Sequence, residues 1–197
     1  LIPTAAIDND PSTKINIEKS LTNLHDVLIK HKNSSANLQN ILKKCDTDAF
    51  LVMHKGKLKF EFFDKFTNQN TPHIIFSVSK SLTSLLAGIL INKKILNLTD
   101  TVSHIIPETK GTAYEDATIR NVLDMNVASG FIEDYAGEAE IFKKYRSSTG
   151  WDLPDEHSNI ENAGLHEFLL TMPKSKELHG KKYHYYSLNI SKNFFIS

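Results

Sequence analysis

The sequence is poor in features that mark whole classes of protein. It has one cysteine, Cys45, in 197 residues, which excludes an internal disulfide and a zinc or iron–sulfur site built on cysteines. Lysine and arginine (23) balance aspartate and glutamate (23), so the formal net charge is zero. Without a bulk field the chain would need a local patch to attract nucleic acid or anionic lipid, and we expect no nucleic-acid partner. The compartment (cytoplasmic or exported) and the oligomeric state stay open.

Long apolar runs and several common motifs are also absent. The longest apolar stretch spans residues 82–91, which is too short for a membrane-spanning helix of about twenty residues and predicts a core helix. No P-loop, GxGxxG, GxSxG or HExxH pattern occurs. The closest pair of histidines, His179 and His184, has no evident third ligand. We therefore expect no transmembrane segment, no metal and no cofactor.

Hydrophobic periodicity predicts a coarse order of elements. Apolar residues at helical spacing predict a helix from about Ile17 to Lys32 and a short second one from Leu38. The period then changes to two, which predicts a β-hairpin with its turn at Gly56. The remaining predictions are helices over 80–93, after the N-cap candidate Thr118 and over 165–172, and an irregular surface excursion over 137–162.

One short unit, Ser77-Val78-Ser79-Lys80, could carry chemistry at the start of the apolar helix. Its spacing puts the serine and the lysine on one helical face, with Cβ atoms about 5–6 Å apart. Free N–H groups at a helix start favour negative charge on a hydroxyl, and an amine among apolar neighbours loses its proton more easily than in water. Together they would form a nucleophile–base pair. The tetrapeptide alone, however, favours a helix cap followed by a solvated lysine.

The wider sequence resembles the β-lactamase-related serine hydrolases, which include class C β-lactamases, DD-peptidases, esterases and 6-aminohexanoate-dimer hydrolases. Residues 73–90 resemble the nucleophile helix of that family, and residues 118–130 resemble its next motif block. The blocks at 133–135, 149–151 and 179–187 are similar to the 6-aminohexanoate-dimer hydrolase branch in particular. The resemblance covers roughly residues 48–189 and depends on the order of the blocks more than on any single one.

The resemblance implies an α+β, β-lactamase/DD-peptidase-like fold and a two-step acyl transfer without metal. Ser77 would attack a carbonyl carbon, and Lys80 and Tyr185 would share the general-base and general-acid tasks. The Ser77 backbone N–H and a second N–H from a strand would form the oxyanion hole. The implied partner is a small linear amide or carboxylic ester.

The tyrosine motif of the family is matched at Tyr185-Tyr186-Ser187. Tyr183 and Tyr186 remain rivals for the catalytic tyrosine because the segment is rich in tyrosine. The residues expected to bind substrate are Ser187, Tyr135 on a loop that would close over the substrate, and Trp151.

The resemblance stops before the third motif of the family, Lys/His-x-Gly, which follows the tyrosine motif at a distance. We therefore expect a C-terminally truncated hydrolase whose fold is incomplete, with most of the sheet missing. Residues 1–47 are predicted to be an N-terminal extension with short helices, and residues 48–197 the N-terminal part of the hydrolase domain. We expect a 197-residue piece of this kind to be inactive, unstable or dependent on further sequence.

Two alternatives stay open at this point. A penicillin-recognising β-lactamase or DD-peptidase is disfavoured by Ser187, where those proteins usually have asparagine. A non-catalytic binding domain is favoured by the missing third motif and disfavoured by the presence of both Ser77 and Lys80.

Overall fold

The computed structural model describes residues 10–13, 15–136, 139–150 and 164–188. The chain divides into two compact units, which meet in the sequence between residues 74 and 75. Trp151 lies outside the described residues, so its predicted role stays a prediction. The predicted domain boundary at residue 47 likewise stays a prediction.

The described part of the first unit contains a 3₁₀ turn (Pro11–Thr13), two antiparallel hairpins and one α-helix. Strand β1 (Leu28–His31) pairs with β2 (Ser34–Asn37), and β3 (Ala49–His54) pairs with β4 (Lys57–Phe63). Helix α1 (Leu38–Lys44) follows β2 directly, and the Asn37 side chain caps it by accepting from the Asn40 backbone N–H at 2.9 Å. The β3–β4 hairpin and the short helix from Leu38 are therefore confirmed.

Both central residues of the turn between β3 and β4 have a left-handed backbone conformation. Lys55 has φ +51° and Gly56 has φ +74°. Two positive φ angles are typical of the tight hairpin turn whose twist matches that of the strands. Glycine adopts such a φ without steric cost, which explains why the Lys-Gly pair ends one strand and starts the next.

The helix predicted for residues 17–32 is wrong. Residues 18–22 instead run along the outer edge of β4, with the Thr22 N–H bonded to the Lys59 carbonyl at 2.7 Å, and β1 occupies the end of the stretch. The apolar residues at helical spacing do not form one buried face, because Leu21 and Leu28 are each more than half exposed. Pairing with a strand distant in sequence outweighs a local periodicity of this kind.

The second unit is mainly helical. Its helices are α2 (Ser79–Asn92), α3 (Val102–Ile105), α4 (Ile119–Leu123), α5 (Glu140–Ser148) and α6 (Leu165–Leu170). Thr118 is the N-cap of α4, as predicted, and it forms a reciprocal capping box with Asn121. The predicted helices at residues 80, 118 and 165 are confirmed.

The core of the second unit consists of aromatic and branched side chains. Phe131 lies at its centre, with edge-to-face contacts to Phe168 at 6.1 Å and Tyr186 at 5.5 Å between ring centroids. Helix α5 adds Phe142, which is 2% exposed. The prediction of an irregular excursion is therefore wrong for residues 140–148, where only a few apolar residues among charged ones mark the buried face.

Helix α2 has one covered side and one open side. Ala87 is fully buried in the core, whereas Leu82, Leu85 and Ile89 are each more than half exposed. The helix is confirmed, but the prediction of a core helix is wrong for its leucine-rich face, which lies open in the part of the chain that the structure describes. No helix among the described residues is long and apolar enough to cross a membrane.

Candidate active site

The serine and the lysine of the Ser-x-x-Lys unit lie side by side at the start of α2. A single 3₁₀ turn (Phe76–Val78) leads into the helix, and the Ser79 hydroxyl bonds back to the Phe76 carbonyl at 2.6 Å. The Lys80 Nζ donates to the Ser77 Oγ at 2.8 Å. The structure therefore brings the predicted nucleophile and the predicted amine into direct contact.

The residue before Ser77 has an unusual backbone conformation. Phe76 has φ +39°, in the left-handed region that a bulky side chain rarely adopts. Strain of this kind persists only where the surroundings enforce it, and it is concentrated at functional sites. At this position it sets the direction in which the chain enters the 3₁₀ turn that carries Ser77.

The segment before Tyr185, which we call the strap (residues 172–184), is fixed by main-chain bonds to the residues that follow α4. Its bonds to them are Gly130 N–H to Pro173 O at 3.0 Å, Gly180 N–H to Asn126 O at 2.9 Å and His184 N–H to Met125 O at 2.7 Å. The His179 Nδ1 also accepts from the Ala128 N–H at 2.9 Å. Because the last main-chain bond is one residue before Tyr185, the strap fixes where that side chain begins.

The Tyr185 phenol meets both members of the Ser-x-x-Lys pair. Partial burial opposes its ionisation, but hydrogen bonds with Ser77 and Lys80 and the positive charge of Lys80 outweigh that effect and hold the pKa of Tyr185 below its ordinary value. The Lys80 Nζ also lies 5.3 Å from the centre of the Tyr185 ring. Three side chains from two distant segments are thus in mutual contact.

The two rival tyrosines have different surroundings. Tyr186 is 9% exposed, stacks on His184 at 5.4 Å and packs into the core against Phe131. Tyr183 is largely exposed at the rim of the cleft. Among the described tyrosines, Tyr185 is the one that interacts with both Ser77 and Lys80.

The contact lies in an open cleft of about 540 Å³ between the start of α2, the end of α4 and the strap. Both hydroxyl and amine groups face it, so a small carbonyl compound could reach Ser77 from solvent. The lining residues are Ser77, Val78, Lys80, Ser81, Ser84, Leu123, Asp124, Met125, Tyr183 and Tyr185. Among the described residues, no group of three or more histidine, cysteine, aspartate or glutamate side chains could hold a metal ion.

The predicted substrate-binding residues Tyr135 and Ser187 meet at a carboxylate that the sequence analysis did not single out. The Tyr135 hydroxyl donates to Glu133 Oε1, and the Ser187 hydroxyl donates to the same oxygen at 2.7 Å. The Ser187 backbone N–H donates to the other oxygen, Oε2. The only sequence signal for Glu133 was its place in the block at 133–135.

This carboxylate affects the tyrosines around it. Burial, followed by the bond to Glu133, raises the pKa of Tyr135. Burial raises the pKa of Tyr145 to about 12, with the charge of Glu133 adding to the effect. Tyr145 also contacts Ser187, and the sequence analysis missed it because it lies on the unpredicted helix α5.

Comparison with known proteins gives the family. The Beta-lactamase family model matches residues 36–191, which is most of the chain. The chain belongs to the β-lactamase family. The predicted β-lactamase-related ancestry is therefore confirmed.

Two relatives of this β-lactamase-family chain have the same description. The 6-aminohexanoate-dimer hydrolase of Paenarthrobacter ureafaciens is 29% identical over 177 residues, which cover 87% of this chain and 42% of that protein. The structure of a putative 6-aminohexanoate-dimer hydrolase from Bacillus anthracis matches with a TM-score of 0.80 at 22% identity, over 92% of this chain and 47% of that one. The predicted α+β, β-lactamase-like fold is confirmed, and the chain spans less than half of the length of either relative.

Proposed function

We propose that the protein is a serine hydrolase that cleaves an amide or ester bond through an acyl-enzyme on Ser77. The observation that carries the proposal is the 2.8 Å contact between Lys80 Nζ and Ser77 Oγ, with the Tyr185 phenol interacting with both side chains. A nucleophile is weak at its ordinary pKa and needs a base within hydrogen-bond reach. Tyr185, with its lowered pKa, meets that requirement.

The directions of the hydrogen bonds suggest which group takes the proton. Lys80 donates to the Ser77 oxygen, which leaves the single proton of the Ser77 hydroxyl to be donated to Tyr185. Ser77 Oγ then attacks the carbonyl carbon while Tyr185 accepts the proton and Lys80 stabilises the resulting charges. The C–N or C–O bond breaks as Tyr185 returns the proton to the leaving group. Water, activated by the same tyrosine, releases the acid and restores Ser77.

For the substrate we propose a small linear amide or carboxylic ester. The relatives described as 6-aminohexanoate-dimer hydrolases support an amide substrate. The open cleft beside Ser77, with Tyr183 and Met125 at its edge, would admit an extended chain on either side of the carbonyl. In this proposal Tyr135 and Ser187 contact the substrate.

Covalent trapping tests the proposal with the whole 197-residue chain, because a fluorophosphonate needs an activated serine but not complete turnover. We expect a fluorophosphonate to label one residue, and peptide mass spectrometry to locate the adduct on Ser77. Ser77→Ala should abolish labelling, and Ser81→Ala, one turn further along the same cleft, should leave it unchanged. An adduct at any other residue would overturn the assignment.

Trapping repeated with penicillin beside the fluorophosphonate separates the alternatives. A lasting penicilloyl adduct on Ser77 would favour a penicillin-recognising β-lactamase or DD-peptidase. A folded chain that no acylating or phosphonylating probe modifies would favour a non-catalytic binding domain.

A further inference from the structure

Glu133 is an acceptor that joins two segments distant in sequence, the loop of Tyr135 and the residues that follow Tyr185. Its carboxylate accepts three hydrogen bonds, from the Tyr135 hydroxyl, the Ser187 hydroxyl and the Ser187 backbone N–H. Ser187 is two residues after Tyr185, so a bond that holds its main chain limits the movement of Tyr185 from the C-terminal side. The strap bond from His184 to Met125 limits it from the N-terminal side.

The donors around Glu133 favour a carboxylate over an amide at this position. An ionised carboxylate only accepts hydrogen bonds, whereas the amide of glutamine has one accepting oxygen and one donating nitrogen. If the amide nitrogen took the place of Oε2, it would face the Ser187 N–H, which also donates. If it took the place of Oε1, it would face the hydroxyls of Tyr135 and Ser187. Hydroxyls can rotate to accept from the amide and a backbone N–H cannot, so only the second placement keeps all three contacts, and it exchanges bonds to a charged acceptor for weaker neutral ones.

We propose that Glu133 is a positioning residue that holds the Tyr185 phenol against Ser77 and Lys80 by fixing Ser187, and that it ties the Tyr135 loop to the same place. The inference rests on the proposed function of Ser77, Lys80 and Tyr185. Glu133 acts through Ser187 rather than on the substrate. Its negative charge alone works in the opposite direction, because it raises the pKa of Tyr185 slightly against the larger effects of the hydrogen bonds.

These opposite directions give a spectroscopic test. The groups that act on Tyr185 are Ser77 and Lys80 at the start of α2 and the carboxylate of Glu133. The charge of Tyr185 in turn raises the pKa of Tyr135 and of Tyr145. Removing only the charge of Glu133 would make Tyr185 ionise at lower pH. Releasing Tyr185 from Ser77 and Lys80 would make it ionise at higher pH. We expect Glu133→Gln to shift the titration of Tyr185 to higher pH. The titration is measured from tyrosinate absorbance, by subtracting the curve of the matching protein that also carries Tyr185→Phe.

A double-mutant cycle tests the effect on chemistry. Because a hydrogen bond to a charged acceptor is stronger than one to a neutral amide, we expect Glu133→Gln to slow fluorophosphonate labelling of Ser77 by about tenfold. In the Tyr185→Phe background the same substitution should have little further effect, since the side chain that it positions is already gone. Asp134→Asn is the matched control, because asparagine still accepts from the Ala136 N–H, and it should leave the rate unchanged.

The outcomes separate the two proposals. A downward shift of the Tyr185 titration, an unchanged labelling rate or an equal loss in both backgrounds would overturn the positioning role and leave Ser77 as the nucleophile. If Glu133→Gln and the unsubstituted protein unfold at the same temperature, the loss of labelling rate is not caused by loss of folding. If Glu133→Gln does not fold, Ser187→Ala, which removes one of the three donors, takes its place in the double-mutant cycle. If the unsubstituted chain is not labelled at Ser77, the proposed function fails, and the titration alone decides whether Glu133 holds Tyr185.

Discussion

Lys80 has two neighbours whose chemistry it changes. It donates to the Ser77 oxygen, and its charge favours the ionised form of the Tyr185 phenol. The base in the proposed mechanism is the deprotonated tyrosine, so the labelling rate of Ser77 should rise with pH and level off above the pKa of Tyr185. Since that pKa is lowered, the midpoint should lie below the ordinary tyrosine value of about 10.

Substitution of Lys80 tests this dependence. We expect Lys80→Met to move the midpoint of the labelling rate to higher pH, because both the hydrogen bond and the positive charge are lost. Lys80→Arg keeps a positive charge and hydrogen-bond donors, so its midpoint should lie between those of the unsubstituted protein and Lys80→Met. The measurement is the rate of fluorophosphonate labelling from neutral to alkaline pH, with exposed Lys176→Met as the control. Identical midpoints for the methionine and arginine variants would exclude the charge of Lys80 as the cause.

The candidate site could be predicted from sequence where its residues fall into short patterns. Ser77 and Lys80 are three residues apart where a 3₁₀ turn leads into α2, and the resemblance supplied Tyr185 from more than one hundred residues further on. The choice between Tyr185 and Tyr186 needed the structure, because neighbouring residues point to opposite sides of an extended segment. Glu133 was missed because its importance depends on its bond to Ser187, a residue in a distant segment. That contact is visible only in the structure.

At the scale of elements, the strap connects Tyr185 to the rest of the second unit. Its His179 ring accepts from the Ala128 N–H, and Ala128 is 6% exposed. A buried N–H that loses its partner costs about 1–3 kcal/mol. We expect His179→Ala to lower the free energy of unfolding by about that amount, measured by urea titration, and to slow the labelling of Ser77 because the strap loosens ahead of Tyr185.

The control for this prediction is His104→Ala, since His104 is an exposed histidine on the short helix α3. It should change neither stability nor labelling. A His179→Ala protein as stable as the unsubstituted chain would show that water replaces the ring as acceptor.

Elements with a strong local signal were predicted correctly. The hairpin β3–β4, with alternating residues and a Lys-Gly turn, is one, and α4, with its capping residue Thr118, is another. The stretch 17–32 was predicted wrongly because its backbone pairs with β4, a partner that periodicity cannot reveal. Helix α5 was missed because it is short and highly charged, so that only its contacts with Phe131 and Phe168 show which face is buried.

At the scale of the whole molecule, the described residues form two separate apolar cores. The core of the first unit has three buried side chains, Leu38, Leu42 and Phe60, whereas the core of the second has sixteen. Stability grows with the apolar surface removed from water, so the first unit should be the weaker of the two. We expect unfolding to depart from a two-state transition, with the first unit unfolding at lower urea concentration.

The distribution of aromatic residues makes this departure measurable. All six tyrosines and the single tryptophan lie in residues 75–197, so intrinsic fluorescence reports on the second unit, whereas far-ultraviolet circular dichroism reports on both. The circular dichroism transition should therefore begin at lower urea than the fluorescence transition, and coincident curves would contradict the prediction.

Phe60→Ala should cost the first unit about 3–5 kcal/mol and shift only the early part of the circular dichroism curve. Phe66→Ala, at a side chain 77% exposed in the same unit, should shift neither curve, because little apolar contact is lost there.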